Sequence, residues 1–112
     1  MKDIPSLRKK EEFKRIFDLH DSLSDRNLIL YKAPGDGKIG IICSKKIGNS
    51  VVRHHFCRLA RECYRHQKEF IRKNTDIIII AREGAKEQGL TEIEKSFVRL
   101  LQRHSIYINE RK

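Results

Sequence analysis

The chain has 112 residues, of which 38% are hydrophobic and 36% are charged. A chain of this length suits one compact domain over residues 1–112, and its clustered apolar residues exclude a disordered protein. The formal net charge of +10 and the pI near 9.8 indicate a polyanionic partner, with nucleic acid ahead of a membrane surface.

The sequence contains no run of about 18 apolar residues, so we expect no helix that spans a membrane. Its first residues lack the apolar segment of a secretory signal. The three cysteines, Cys43, Cys57 and Cys63, form an odd set without such a signal. This combination predicts free thiols and a cytoplasmic protein.

The first predicted element is a helix over about residues 7–19, with Ser6 as a candidate N-cap. Phe13 and Phe17 are four residues apart and share one face of that helix with Lys9. The face is an aromatic stripe with a basic end. Aromatic residues at helical spacing usually belong to a core, so a core role stays open beside a binding role.

Two β-prone runs, residues 27–32 and 38–44, are separated by a turn signal at residues 34–37 and predict a β-hairpin. A further short strand is compatible with residues 44–47. Residues 76–81 contain four consecutive isoleucines, which is typical of a strand that is buried on both faces.

Two more helices complete the predicted order. Gly48 is expected to adopt a backbone angle that other residues avoid, and Asn49 or Ser50 to cap a helix over about residues 51–73. A capping box opens the last helix, over about residues 91–104. The resulting order is α-β-β-α-β-α, with room for one additional strand, and it predicts a sheet with helices packed on it.

The predicted second helix has a basic face nearly opposite its apolar face. At about 100° per residue, the basic arc contains Arg53, His54, Cys57, Arg58, Arg61, Arg65 and Lys68. Glu62 and Glu69 fall at its margin. An ordinary solvated face mixes both signs for i,i+4 pairing, whereas a face of guanidinium groups favours bidentate contacts with phosphates. We interpret this face as a polyanion-binding surface, with an ordinary solvated face as the alternative.

One stretch resembles the signature of the bacterial ribonuclease P protein component. It comprises residues 44–53, SKKIGNSVVR, followed by Arg58-Leu59-Ala60-Arg61. Three other segments resemble the family's N-terminal helix (residues 7–17), its first strand (26–31) and its last main strand (76–82). The matching segments cover nearly the whole chain in the right order, which is far more specific than a single motif.

The resemblance implies an α/β (α+β) two-layer sandwich with about four strands and three helices. It also implies a left-handed β-α-β crossover, which is an exception to the usual handedness. In the family, the protein assists a ribonucleoprotein endoribonuclease that removes the 5′ leader from precursor tRNA. The catalytic subunit is an RNA that binds most of the required Mg²⁺, and we expect one protein per RNA and no organic cofactor. The alternative is a general basic RNA-binding or ribosomal-type protein with no role in tRNA processing.

Two sets of site residues follow from the resemblance. The set that faces the catalytic RNA comprises Lys45, Lys46, Asn49, Arg53, Arg58, Arg61 and Arg65. The set in the cleft for the precursor-tRNA leader comprises Lys9, Phe13, Phe17, Tyr31, His54 and Cys57. Aromatic platforms beside a basic groove are the usual means of holding single-stranded RNA.

The chain departs from the family pattern inside the signature. Between Arg53 and Arg58 the family usually has Asn-Arg-x-Lys, whereas this chain has His54-His55-Phe56-Cys57. The cysteine opens a neutral gap in the basic arc. Two permanent charges are lost, and any charge on the two histidines depends on pH near neutrality.

The histidines and cysteines of this helix also raise the hypotheses of a zinc site and of a protein-borne nuclease. Cys63 points about 120° or more away from His54 and Cys57, so these groups do not converge on one ion. His54 and His55 are adjacent and point about 100° apart, so they cannot flank one phosphate as general acid and base. We therefore expect neither a metal site nor a catalytic residue in the protein itself.

Overall fold

The computed structural model describes residues 4–108. Its elements are α1 (Lys10–Asp18), β1 (Ser22–Ser24), β2 (Leu28–Pro34), β3 (Ile39–Ile42), α2 (Ser50–Gln67), β4 (Thr75–Ala81) and α3 (Leu90–Arg103). The three helices and the four-stranded mixed sheet confirm the predicted fold class. Within the described residues, no helix has both the length and the apolar character needed to cross a membrane.

The strands lie in the order β1-β2-β4-β3, so the predicted hairpin between β2 and β3 is wrong. β4 lies between them, antiparallel to β2 and parallel to β3. The isoleucines of β4 make both faces of the strand apolar, which favours a central position in the sheet. The turn that follows β2 is held by β4 as well, because the buried Asp76 carboxylate accepts the N–H groups of Gly37 and Lys38 at 2.9 and 2.7 Å. α2 connects the parallel strands β3 and β4, so β3-α2-β4 is the β-α-β unit for which the crossover was predicted.

The additional strand lies before β2 rather than after β3. β1 is a short polar edge strand that pairs antiparallel with β2, and its sequence, Ser-Leu-Ser, carries almost no β signal. The predicted strand over residues 44–47 is wrong. These residues form a turn in which the Ile47 N–H donates to the Ser44 carbonyl at 3.1 Å.

The two faces of the sheet bury different helices. The face that packs against α2 and α3 carries Leu28, Leu30, Ile39, Ile77 and Ile79. The opposite face, which packs against α1, carries Ala33 and Ile78, with Tyr31, Ile42 and Ile80 at its margin. The sheet with α2 and α3 forms the predicted two-layer sandwich, and α1 adds a partial third layer. That partial cover leaves the margin residues half-buried.

α1 begins at Lys10, later than predicted, and Ser6 does not cap it. The Ser6 hydroxyl instead donates to the Ile4 carbonyl at 3.2 Å. The Glu12 carboxylate accepts the backbone N–H groups of Arg8 and Lys9 at 2.8 and 3.0 Å. These bonds lower the pKa of Glu12 to about 2, so an ionised side chain holds the first turn of the helix.

α2 ends at Gln67, earlier than predicted. The chain turns there so that Ile71 enters the core, where it forms an isolated bridge with Tyr107. α3 begins at Leu90, and the predicted capping box over residues 91–94 does not form, since the N-cap position belongs to the preceding glycine.

Candidate nucleic-acid interface

α2 begins with a compact cap that explains part of the signature. The Asn49 side chain accepts the Val52 N–H at 3.1 Å, which confirms Asn49 as the N-cap. Gly48 does not have the unusual backbone angle that we expected, since its φ is not positive. It is required for another reason: a Cβ at Gly48 would lie 2.7 Å from the Val52 Cβ. Arg53 completes the cap by donating from Nε to the Gly48 carbonyl at 3.3 Å.

The basic face of α2 is open and largely unneutralised. Arg58 and His54 are exposed, and Arg53 and Arg61 are half-buried on the same helix. Within residues 4–108, Arg53, Arg58 and Arg61 form no ion pair. Guanidinium groups without carboxylate partners repel one another, so a polyanion bound to this face would stabilise it.

The remaining predicted RNA-facing residues differ in their surroundings. Lys45 and Lys46 are exposed in the turn that precedes the cap. Arg65 donates to Glu62 at 3.0 Å, so its charge is partly compensated. The arc of free charge therefore extends from the turn along α2 to Arg61, and Glu62 limits it more closely than a helical wheel indicates.

Two thiols form a neutral patch beside these arginines. Cys57 on α2 and Cys43 after β3 are both half-buried, and both pack against the main core. Burial raises the pKa of each thiol, and this effect outweighs the opposing influence of Arg53 on both and of Arg61 on Cys57. Cys57 therefore contributes a neutral, packed side chain to the basic face and no charge.

Three aromatic rings form a half-buried platform on the α1 face of the sheet. Phe17 meets Tyr31 edge to face, with ring centroids 4.9 Å apart, and Phe13 lies 6.5 Å from Phe17. All three rings pack at the margin of the smaller core cluster. A half-buried ring supports the fold with one side and can stack on a base with the other. We call Phe13, Phe17 and Tyr31 the aromatic cleft.

Cations flank the aromatic cleft at positions that the sequence analysis missed. Lys10 and Lys14 line an apolar depression of about 520 Å³ together with Phe13, Phe17 and Ile42. Each lysine precedes a phenylalanine by three residues, and this spacing could have identified both from the sequence. The predicted Lys9 is exposed at the N-cap of α1, outside this depression.

Arg61 connects the two predicted surfaces. It lines a depression of about 180 Å³ at the edge of β3 together with Phe13, Gly40 and Ile41. His54 and Cys57, which we predicted to lie in the cleft, line neither this depression nor the larger one. The structure thus brings an arginine predicted to face the catalytic RNA next to the aromatic cleft.

Within residues 4–108, no group of three or more His, Cys, Asp or Glu side chains converges so that it could hold a metal ion. The side chains of this part of the chain therefore do not fit a Mg²⁺ site made of protein ligands alone.

Comparison with known proteins gives one consistent family. Residues 1–105 match the family model Ribonuclease P. The ribonuclease P protein component of Lachnoclostridium phytofermentans is 35% identical, with 90% of each chain covered. That of Clostridium novyi is 37% identical over 96% of this chain and 99% of its own length.

Solved structures agree with these relatives. The RNase P protein of Staphylococcus aureus has a TM-score of 0.84 at 30% identity, covering 92% of this chain and 97% of its own. The RNase P protein of Thermotoga maritima has a TM-score of 0.80 at 25% identity, covering 88% of this chain and 96% of its own. The chain therefore belongs to the ribonuclease P protein component family, whose members are subunits of the enzyme that matures tRNA 5′ ends.

Proposed function

We propose that this protein holds two RNAs at once. The basic face of α2 and the turn before it bind the catalytic RNA of ribonuclease P, and the aromatic cleft binds the single-stranded 5′ leader of precursor tRNA. The RNA subunit breaks the phosphodiester bond with Mg²⁺ that it binds mainly itself, and one protein serves one RNA. The three cysteines are free thiols, which supports a location in the reducing cytoplasm.

The position of Arg61 is the observation that carries this proposal. Its side chain lies at the boundary between an unneutralised arginine face and a half-buried aromatic cleft. Phosphate groups bind guanidinium groups, and unpaired bases stack on exposed rings. A strand whose bases lie on Phe13 and Phe17 can therefore place a phosphate near Arg61, while Arg53 and Arg58 contact a second RNA.

The arrangement favours a binding role over catalysis by the protein. His54 and His55 are both exposed and successive on α2, so their rings point in different directions. General acid–base cleavage requires two groups on opposite sides of one phosphate. The histidines replace charged and amide groups of the family pattern, so we assign them at most an auxiliary contact with RNA.

The proposal is tested by cleavage of precursor tRNA by the cognate catalytic RNA at low Mg²⁺, with and without the protein. We expect strong stimulation, because the protein adds contacts to the leader and neutralises phosphates that otherwise repel the substrate. Mature tRNA serves as the control for product binding. RNA binding without any stimulation would contradict the proposal and favour the general RNA-binding alternative.

A further inference from the structure

A second basic surface lies at the far end of the molecule, where the chain leaves α2 and enters β4. The connecting residues 72–75 line two neighbouring cavities, of about 640 and 310 Å³. The larger cavity is also lined by Lys32 and His20, and the smaller by Lys68 and Lys38. The short connection therefore places cations from four separate parts of the chain around one end of the sheet.

The charges at this end are mostly uncompensated. Among residues 4–108, the exposed side chains of Lys68, Arg72 and Lys73 form no ion pair. Lys32 donates to the His104 carbonyl at 3.2 Å and lies 3.8 Å from an Asp21 carboxylate oxygen. We call Lys32, Lys68, Arg72 and Lys73 the end surface.

Acidic residues do not cancel this charge. Each cavity contains one carboxylate in its lining, Asp21 in the larger and Asp36 in the smaller. Lys38 forms a close ion pair with Glu12 at 2.9 Å, whereas Lys32 lies 3.8 Å from Asp21, so the end surface includes Lys32 and leaves out Lys38. Several cations around cavities with one carboxylate each produce a positive local field that attracts an anion.

The backbone around the larger cavity is unusual. His20, Asn74 and Ser105 are the non-glycine residues with positive φ in the described part of the chain, at 53°, 63° and 63°. All three line this one cavity. His20 and Ser105 directly follow the C-caps of α1 and α3, where a left-handed residue commonly ends a helix. The ends of these two helices and the turn at Asn74 therefore give the cavity a wall with polar side chains beside its cations.

The end surface is distant from the signature at the start of α2. α2 has 18 residues, and at about 1.5 Å per residue its two ends are roughly 27 Å apart. The depression of the aromatic cleft is lined by Ile42 at the end of β3, whereas the cavities of the end surface are lined by Thr75 at the start of the parallel strand β4. An RNA contact at the end surface therefore adds a separate point of attachment.

We propose that the end surface is a second phosphate-binding contact, which takes phosphodiester groups of the catalytic RNA beyond those bound by the signature. This inference rests on the RNA binding proposed above and is independent of the leader cleft. Two separated contacts on one RNA act together, because binding at the first contact raises the effective concentration of the RNA at the second. They also fix the direction of α2 on the RNA, which a single basic patch does not.

The test compares two double variants of equal charge in a salt titration with the cognate catalytic RNA. The first variant is Arg72→Gln with Lys73→Gln, which retains much of each aliphatic stem. The control is Lys86→Gln with Lys95→Gln, two exposed lysines outside the end surface. We expect the first variant to bind roughly tenfold more weakly and to lower the salt slope by about two, with little change in the control.

Equal affinities and slopes for the two variants would overturn the proposal. Inorganic phosphate, followed through the backbone amide signals of residues 72–75, separates the two sources of the anion. Phosphate binding without any difference in RNA affinity would show a site for free anions and would also refute the RNA contact. Thermal unfolding of both variants checks the fold.

The result can be separated from the outcome of the cleavage test. Stimulation of cleavage is measured with the unaltered protein, so its absence refutes the proposed function alone. The comparison of variants measures binding alone, so equal slopes beside normal stimulation refute the end surface alone.

Discussion

The ring of Phe13 lies over Gly40, so closely that a Cβ on this glycine would come within 2.6 Å of the Phe13 Cε1 atom. Gly40 belongs to β3, the edge strand against which Phe13 of α1 packs. Because the glycine has no side chain, the ring settles against the backbone beside Arg61. The absence of one methyl group on β3 therefore positions one wall of the aromatic cleft.

Replacing Gly40 with alanine is expected to move Phe13 and to weaken leader binding. Overpacking of this kind destabilises proteins by about 1–3 kcal/mol, which a thermal or urea unfolding curve will detect. The preference for leader-bearing precursor over mature tRNA should fall as well. Gly89→Ala is the control for leader preference alone, since its Cβ would meet nothing within 4 Å but alanine is a poorer N-cap than glycine for α3. An unchanged leader preference in Gly40→Ala would show that Phe13 does not contact the leader.

Removing the Phe17 ring should reduce affinity for leader-bearing precursor more than affinity for mature tRNA. A stacked base contributes roughly 1–3 kcal/mol, which corresponds to a loss of about 5- to 150-fold in Phe17→Ala. Binding of both tRNAs to the assembled enzyme measures this difference. Ile16→Val on the same helix is the control, because Ile16 is fully buried and its truncation affects only stability. Equal losses for the two tRNAs would assign Phe17 to the core alone.

Arg53→Ala combined with Arg61→Ala should weaken binding to the catalytic RNA and flatten its dependence on salt. Each lost phosphate contact lowers the slope of log K against log salt by about one. A salt titration by filter binding gives this slope directly. Arg53 also donates to the Gly48 carbonyl, so the Arg61→Ala single variant separates the loss of charge from damage to the cap. An unchanged slope in that single variant would contradict a contact between Arg61 and the catalytic RNA, and would leave Arg61 with the leader contact alone.

His66 links α2 to α3 and should make stability decrease as the pH rises. Its Nδ1 lies 2.8 Å from Glu94, and its Nε2 lies 3.2 Å from Glu62. The hydrogen bond with Glu94, followed by the charges of both glutamates, raises the pKa of His66 above 6.5. The stabilisation is therefore complete below 6.5 and is lost as the pH rises through the raised pKa. The unfolding temperature of His66→Gln should not show this decline with rising pH. Identical pH profiles for the variant and the unaltered protein would refute the role of His66.

His104 should act in the opposite direction. It is buried, and its Nε2 lies 2.7 Å from the Leu30 carbonyl. Burial lowers the pKa of His104 below 6.5, so the unfolded chain takes up the proton first and stability falls as the pH drops below that value. His104→Gln keeps a donor for Leu30 and should show a flatter profile on the acid side. If the stability of His104→Gln falls at low pH as steeply as that of the unaltered protein, carboxylates rather than His104 cause the loss of stability.

The sequence identified most helices and strands because their signals are local. The four isoleucines of β4 predict a doubly buried strand, and the cap at Asn49 follows from short-range chemistry. The hairpin failed for a non-local reason, since a turn between two β-prone runs does not reveal that a third strand lies between them. β1 failed because its pairing with β2, rather than its own composition, makes it a strand.

The sequence by itself determined the class of partner and the family. Net charge, the one-sided arginine face and the signature are properties of composition and order, so they can be read before any folding. Only the tertiary structure decided which residues share a site. It brought Arg61 to Phe13, left His54 and Cys57 outside both depressions of the cleft, and gathered Lys32 with Arg72 at the end of the sheet. Such neighbours are distant in the chain, and their proximity depends on strand order and helix packing, which no local pattern encodes.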